Sequence, residues 1–523
     1  MAERRSRHMA RRRRRLTPRR WPVLIVIPAL LIGAGIVDAD RDEPGGPAPD
    51  ASSVTRDLAA LQPTAASTDA LSSSFYCAGG SARGEDGPAE LSVVVANAGD
   101  DAASGSVTVY SADDRTAARP IEIPAHGQVT VETRSILAGE WVAAQVEAFG
   151  GDVSVDRQIT GIDGIDTGPC SSASSSQWTL PSGSTVRGSD EILALFNPFA
   201  DDATVDMRFV TDTGVRTPRL LQGFQVPGRS LRLVRVTSVV ARRPIVTSIV
   251  QTRAGQVVVD RIQLGDGTGD RVQSIGGDEE GPVTAPPKGV SVTSGMPLPA
   301  RTWFFADAAK PKGARTRVVI YNAGRDEAQV DVHVALDDPR RNGTLDPFEL
   351  TIEPRDVQVL DLTAQGTVPD VGFSVTARSV NGQPIYAELT YDGGSPAEDK
   401  GIAATPGAPT AATSWLFGAG ANEGPRTERL SVLNPGATTA SLTVERLRRS
   451  GRSKVDGLTG TKVAPGQRAL LELPEAGSGD LVLLVSADQP VIAQATMVRR
   501  PRGLSTWMGV PLPAGLVPAP GPS

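Results

Sequence analysis

The chain has 523 residues, a formal net charge of −6, 55 Gly, 41 Pro, two Cys and an aromatic content of 4%. Gly and Pro together make nearly a fifth of it, which excludes a mainly helical protein and calls for many turns. The charge is split: residues 1–39 carry ten Arg against Glu3 and Asp38, a local +8, leaving 43 basic and 57 acidic residues, net −14, for the rest. A body this acidic argues against nucleic acid as a partner.

The Arg-rich residues 1–20 precede an apolar run, Trp21 to Val37, with no charge in 17 residues. As a helix that run spans ~25 Å, just enough for a bilayer if the flanking arginines snorkel. Residues 21–37 therefore read as a single transmembrane signal anchor. It leaves 1–20 in the cytoplasm and sends the bulk of the chain outside, so the membrane is a partner through one N-terminal helix. The competing reading is a secreted protein cleaved after a signal peptide, since Val37-Asp38-Ala39 resembles a small-x-small site. Residues 38–70, rich in Pro, Ala, Asp and Ser, read as a disordered stalk.

From there the sequence repeats four times. An aromatic opening recurs at Phe75/Tyr76, Trp178, Trp303 and Trp415. An alternating apolar run follows each and ends on Asn97, Asn197, Asn322 or Asn434, then a turn. Further on come a Pro turn (Pro124, Pro227, Pro354, Pro465) and a long hairpin. The later three repeats finish on a shared glycine signature starting at Gly289, Gly401 and Gly503. Apolar residues recur with period two, and turn signals come about every ten residues. The expected fold is all-β: a tandem array of four antiparallel Ig-like β-sandwich modules behind the anchor. Their boundaries are 71–170, 171–299 (with an acidic linker at 265–288), 300–410 and 411–515, with a tail at 516–523. A repeat of this length fits a small domain rather than a solenoid unit.

Cys77 and Cys170 bracket the first module in a compartment expected to be oxidising, so they read as a disulfide. Closing that loop is worth about 4–5 kcal/mol on the chain-entropy model. His8, His126 and His333 have no His or Cys companion at ligand spacing, so no zinc site is expected. Neither a nucleophile elbow, a phosphate loop nor a dinucleotide fingerprint is present. The acids in the linker (Asp266, Asp270, Asp278, Glu279, Glu280) and at Asp337/Asp338/Asp346 match no calcium-loop spacing and read as solvated. Ser171 to Ser176 read as linker.

Asp156, Asp260 and Glu388 recur at one place in successive modules, with Gln494 in the fourth. A catalytic pair is expected once, whereas a structural position recurs, so these read as strand-end or interdomain hydrogen-bonding residues. By the same logic Trp178, Trp303 and Trp415 read as core or packing residues, and the non-repeating Trp141, Phe149 and Trp507 as the better candidates for exposed aromatics. No catalytic, cofactor-binding or metal residue is expected, and no ligand-binding residue is identified.

SSFYCAGG with the later Pro-Cys, WTLPSGST, LFNPFADDATVD and VVVDR together resemble an uncharacterised actinobacterial envelope family, the domain-of-unknown-function family numbered 5719. The resemblance is strongest over residues 70–395 and weaker in the fourth module. It implies a membrane-anchored secreted protein with no assigned activity, and it carries no catalytic residues across. The expected function is non-enzymatic, structural or protein-binding, with a cell-envelope protein as partner. The alternative is a carbohydrate-binding array on a wall polysaccharide.

Overall fold

The computed structural model describes residues 56–518, apart from 85, 270–271, 277–278, 285, 338–339, 341–344, 421–425 and 474–480; of 272–284 only the backbone is described. The leader 1–20, the anchor 21–37, stalk residues 38–55 and tail residues 519–523 lie outside the described residues. Among those described, no helix is long and apolar enough to cross a membrane.

The period-two patterns become strands whose burial alternates, as in Ala103–Ser111 and Ala328–Leu336. In each quarter the same two sheets recur. The first module has Ser73–Ala82, Glu90–Asn97, Ala103–Ser111, Thr116–Ile123, Gly127–Glu132, Gly139–Phe149, Val153–Gly161 and Gly164–Pro169. Numbered one to eight, these pair in the orders four-three-six-one and five-two-seven-eight. Modules two, three and four repeat both orders. In the fourth, a single long strand, Val482–Arg499, serves as both the sixth and the seventh.

The all-β expectation holds, but the strand order departs from the immunoglobulin arrangement. Strands two with five and three with six pair as in that fold. The first strand, however, lies beside the sixth and the seventh beside the second. The seventh strand thus crosses to the other sheet and carries the eighth out as an edge.

Those edge strands decide the architecture. Gly164–Pro169, Lys288–Ser294, Gly401–Pro406 and Leu504–Met508 each pack against the next, and the last packs back on the first. The modules therefore close a ring, and the described residues form one compact unit. Cores run across the seams: one buried cluster joins modules one and two, and another joins three and four with Ile165, Val210, Ile249 and Met296. A small third cluster, Ala96 and Ala98 with Leu416, Leu447, Val482 and Leu484, fills the seam between modules four and one.

Parts of three stretches read as stalk, linker and tail are built into the fold. Part of the supposed stalk is docked: Thr64, Ala65 and Ala66 are buried, Ala65 N donates to Pro511 O and Ala66 N to Val153 O. Leu58 and Ala59 pack on the core, and the apolar surface they bury works against the cost of ordering the stretch. The acidic linker holds a hairpin, Val272–Gly276 with Glu279–Thr284. The tail begins as a strand, Leu516–Pro518, paired with Thr410–Ala412.

Candidate functional site

The recurring residues fall into three sets with separate mechanical tasks. The asparagines end the second strand of modules one to three, Asn434 directly follows that of module four, and all are buried. Each Nδ2 donates to the carbonyl four residues on (Asp101, Asp201, Asp326, Thr438) at 2.7–2.8 Å. Each Oδ1 accepts from the amide two residues on. In modules two to four Nδ2 also reaches the far side of the sandwich, at Val226, Ile352 and Val463. One amide side chain thereby satisfies a buried turn.

The tryptophans are core. Trp178, Trp303 and Trp415 are 2%, 1% and 0% exposed. Their indole N–H groups donate to Val257, Ile385 and Val491 carbonyls at 2.8, 2.8 and 2.9 Å. The internal glycine of the closing signature makes room for this aromatic opening: a methyl at Gly295 would lie 3.0 Å from Trp178, one at Gly407 3.0 Å from Trp303 and one at Gly509 2.7 Å from Phe417. Of the non-repeating aromatics, Phe149 is 51% exposed, but Trp141 and Trp507 are buried, contrary to expectation. Trp507 lies on an axial edge strand and is covered by the ring, which no local pattern reveals.

The third set builds the seams. The first glycine of the signature lies where neighbouring edge strands touch. A methyl at Gly164 would meet Val290 N at 3.1 Å, at Gly289 Ile402 N at 2.8 Å, at Gly401 Leu504 N at 2.9 Å and at Gly503 the Ile165 side chain at 2.9 Å. Gly164, in module one, escaped the sequence reading and completes this circle of close approaches.

Beside it, the recurring acid of each module accepts from the backbone near the end of the preceding module's first strand. Asp260 accepts from Ala78 N, Glu388 from Ser182 N and Gln494 from Asp307 N, each at 2.9 Å. Asp156 closes the circle by accepting from Gly418 N at 2.9 Å. The residue after the acid was not singled out, yet it completes the logic. Arg157 lies 4.0 Å from Asp260, and Arg261 grips Glu388 at 2.6 Å. At the third seam Leu389 replaces the Arg, and the acid opposite is the amide Gln494. At the fourth, Ala495 replaces it, but the acid Asp156 remains.

Burial pushes Asp156 up to about 7, against the pull of the Gly418 and Ala419 amides and of Arg157. Asp166, on the first edge strand, is pushed up to about 6 by burial, although Arg157 and the Val292 amide pull it down. It accepts from Val292 N on one neighbouring edge strand and from Ser505 Oγ on the other. Asp307 goes the other way, to about 2: burial opposes ionisation, but Arg429 and Arg468 override it. Arg468 also binds Asp337 at 2.6 Å, so that residue of the supposed solvated cluster ties modules three and four.

Cys77 and Cys170 form a disulfide joining the first strand of module one to the end of its edge strand. Next to it, Ser171 pairs with Tyr76, and Ser175 pairs with Val257, so this serine run is built into the sheets. His126, in a turn with φ 52°, faces Asp100 at 3.3 Å and accepts from Arg452 of module four; His333 is exposed. Asp266 caps the amide of Thr268. Among the described residues no three His, Cys, Asp or Glu come together at metal-binding distance.

One family model, described as a family of unknown function (DUF5719), matches residues 157–421 and again residues 303–506. The chain belongs to this family. The DUF5719 matches overlap, as a repeated chain permits; they begin at residue 157, later than the sequence resemblance, and the second extends through most of module four, where that resemblance is weaker. No curated protein matches the chain. Among solved structures, the crystal structure of Thermotoga maritima 1070 is similar at 23% identity over 21% of this chain and 93% of that one, with a TM-score of 0.18. The Anabaena sensory rhodopsin transducer is similar at 21% identity over 18% and 97%, with a TM-score of 0.15. Neither likeness bears on what this chain does.

Proposed function

We propose that this DUF5719 protein is a non-enzymatic element of the bacterial cell envelope, held to the membrane by residues 21–37, with a structural or protein-binding role outside the cytoplasm. The observation that carries this reading is the use of the recurring polar residues. The asparagines hold turns, and the acids Asp156, Asp260 and Glu388 with Gln494 hold module to module. Residues that would be the first suspects for chemistry are spent on making a rigid body. A sheltered disulfide at Cys77–Cys170 suits an extracytoplasmic location.

The alternative, a carbohydrate-binding array, draws less support. Glycan platforms need exposed aromatic faces, and Trp141, Trp178, Trp303, Trp415 and Trp507 are all buried. Among the described residues, Phe149 and Phe199 are the aromatics that are largely exposed.

Protease treatment of intact protoplasts, followed by cross-linking and recovery of the chain from envelope membranes, tests the proposal. Cleavage of the modules with survival of residues 1–20, together with a cross-linked protein partner, is expected. Protection of the modules, or recovery with polysaccharide and no protein, would overturn it.

A further inference from the structure

The recurring seam residues are all engaged in holding the ring, but one polar group does not recur and is not used up. Between modules two and three lies a cavity of about 210 Å³, walled by Arg261, Arg315, Arg317, Asp392, Thr390 and Ser182 among others. Arg315 and Arg317 are two apart on the second strand of module three, Ala314–Asn322, so they share a face. Asp392, directly across from Arg315 on the seventh strand, must serve both: its Oδ2 accepts from Arg315 Nη2 at 3.0 Å and from Arg317 Nη2 at 2.6 Å.

We propose that this cavity binds a small oxyanion, the phosphate or carboxylate group of a small molecule. Arg187, Arg261, Arg315 and Arg317 line the cavity, and among its described lining residues Asp392 is the one acid, divided between Arg315 and Arg317; Glu388 behind Arg261 and Asp361 across from Arg317 offset part of that charge from outside the lining. The Arg315, Arg317 and Asp392 side chains are 12–15% exposed, so the positive charge on this wall is held where solvent screens it poorly. Among the described residues, Nε of Arg261, Arg315 and Arg317 and Oγ1 of Thr390 have no hydrogen-bond partner. Burial, and then the neighbouring Arg317, pull the Arg315 pKa below its usual value, against the opposing pull of Asp392 and Asp361. Paired guanidinium forks are the donors that match an oxyanion in bidentate geometry. A volume near 200 Å³ is below that of drug-sized pockets and suits a small anion.

The group is also unique to one module. The positions of Arg315 and Arg317 are held by Glu90 and Ser92, Asp190 and Ile192, and Thr427 and Arg429 in the others, and that of Asp392 by Thr160, Leu264 and Val498. A scaffold position recurs in a fourfold repeat, whereas a ligand site need occur only once.

The test is calorimetric titration of the full chain with inorganic phosphate and, separately, acetate, against chloride at matched ionic strength. Saturable binding of phosphate or acetate is expected, weakened at least tenfold in the Arg315→Gln/Arg317→Gln double variant. Asp392→Asn removes the competing carboxylate and should tighten binding. A merely structural role would make both variants worse or leave both unchanged, so the opposite signs carry the proposal. Heats no different from chloride for both anions, or equal binding by parent and double variant, would overturn it.

Discussion

The Asp156 carboxylate accepts a hydrogen bond from the Gly418 amide at 2.9 Å, across 262 residues of chain. It joins the seventh strand of the first module to the end of the first strand of the last, and so turns a string of four sandwiches into a closed ring. The other three seams use the same contact, but two of them place an arginine opposite the carboxylate and one uses an amide. Only this seam keeps a buried acid where the partner position is Ala495.

That mismatch has a pH consequence. Asp156 is lifted from an ordinary value just below 4 to about 7, so between those limits the folded chain holds a proton that the unfolded chain has released. Stability from this group is therefore full at low pH, falls as pH rises towards 7 and is flat above, by no more than about 4 kcal/mol. Asp166, lifted to about 6, and Glu191, lifted by burial to about 8, act with the same sign. Asp307, lowered to about 2, acts oppositely: its contribution is present above pH 4 and lost as pH falls through 2. Asp156→Asn should keep the bond to Gly418, as Gln494 keeps its bond to Asp307. The melting temperature of the variant should match or exceed the parent's at pH 8, with a shallower decline between pH 5 and 8. An unchanged slope, or a variant less stable at pH 8, would refute the assignment.

The glycine circle leaves no space for a methyl group. Gly289→Ala would put a carbon 2.8 Å from Ile402 N and 3.3 Å from Gly401, both backbone. Strands held in a closed ring cannot part to admit it, so a loss of about 1–3 kcal/mol is expected in denaturant melts. A variant within a few tenths of the parent would show that the edge strands slide freely.

Trp303→Ala removes a buried indole and its bond to Ile385. A loss of about 3–5 kcal/mol is expected, with similar losses for Trp178→Ala and Trp415→Ala. Thermal melts that stay within a degree or two of the parent would return these residues to the surface and revive the glycan reading.

Reduction of Cys77–Cys170 should destabilise the first module by up to about 4–5 kcal/mol. Cys77 immediately precedes Ala78, whose amide is held by Asp260 across the seam, so loosening should spread to module two. Hydrogen exchange before and after reduction reads this directly; unchanged protection at Ala78 would separate the disulfide from the seam.

Much of this was legible in the chain because it is local. Alternation with period two predicts strands, since successive side chains face opposite ways. The recurrence of asparagine, tryptophan and glycine at fixed offsets marks positions that every copy of one small fold must fill, and each proved to be a turn pin, a core indole or the space beside it. Recurrence also pointed Asp156, Asp260 and Glu388 to strand-end or interdomain hydrogen bonds, and each accepts one across a seam. What the sequence could not decide is how the copies meet. Ring closure depends on pairs such as Asp156 with Gly418 and Gly164 with Gly289, whose members lie in different modules and share no local pattern. The burial of Trp507 and the docking of residues 64–66 follow from that closure, and the sharing of Asp392 by two arginines from strand register inside module three. Local chemistry determines a strand and its face; the neighbour on that face is chosen by contacts between residues a hundred or more apart.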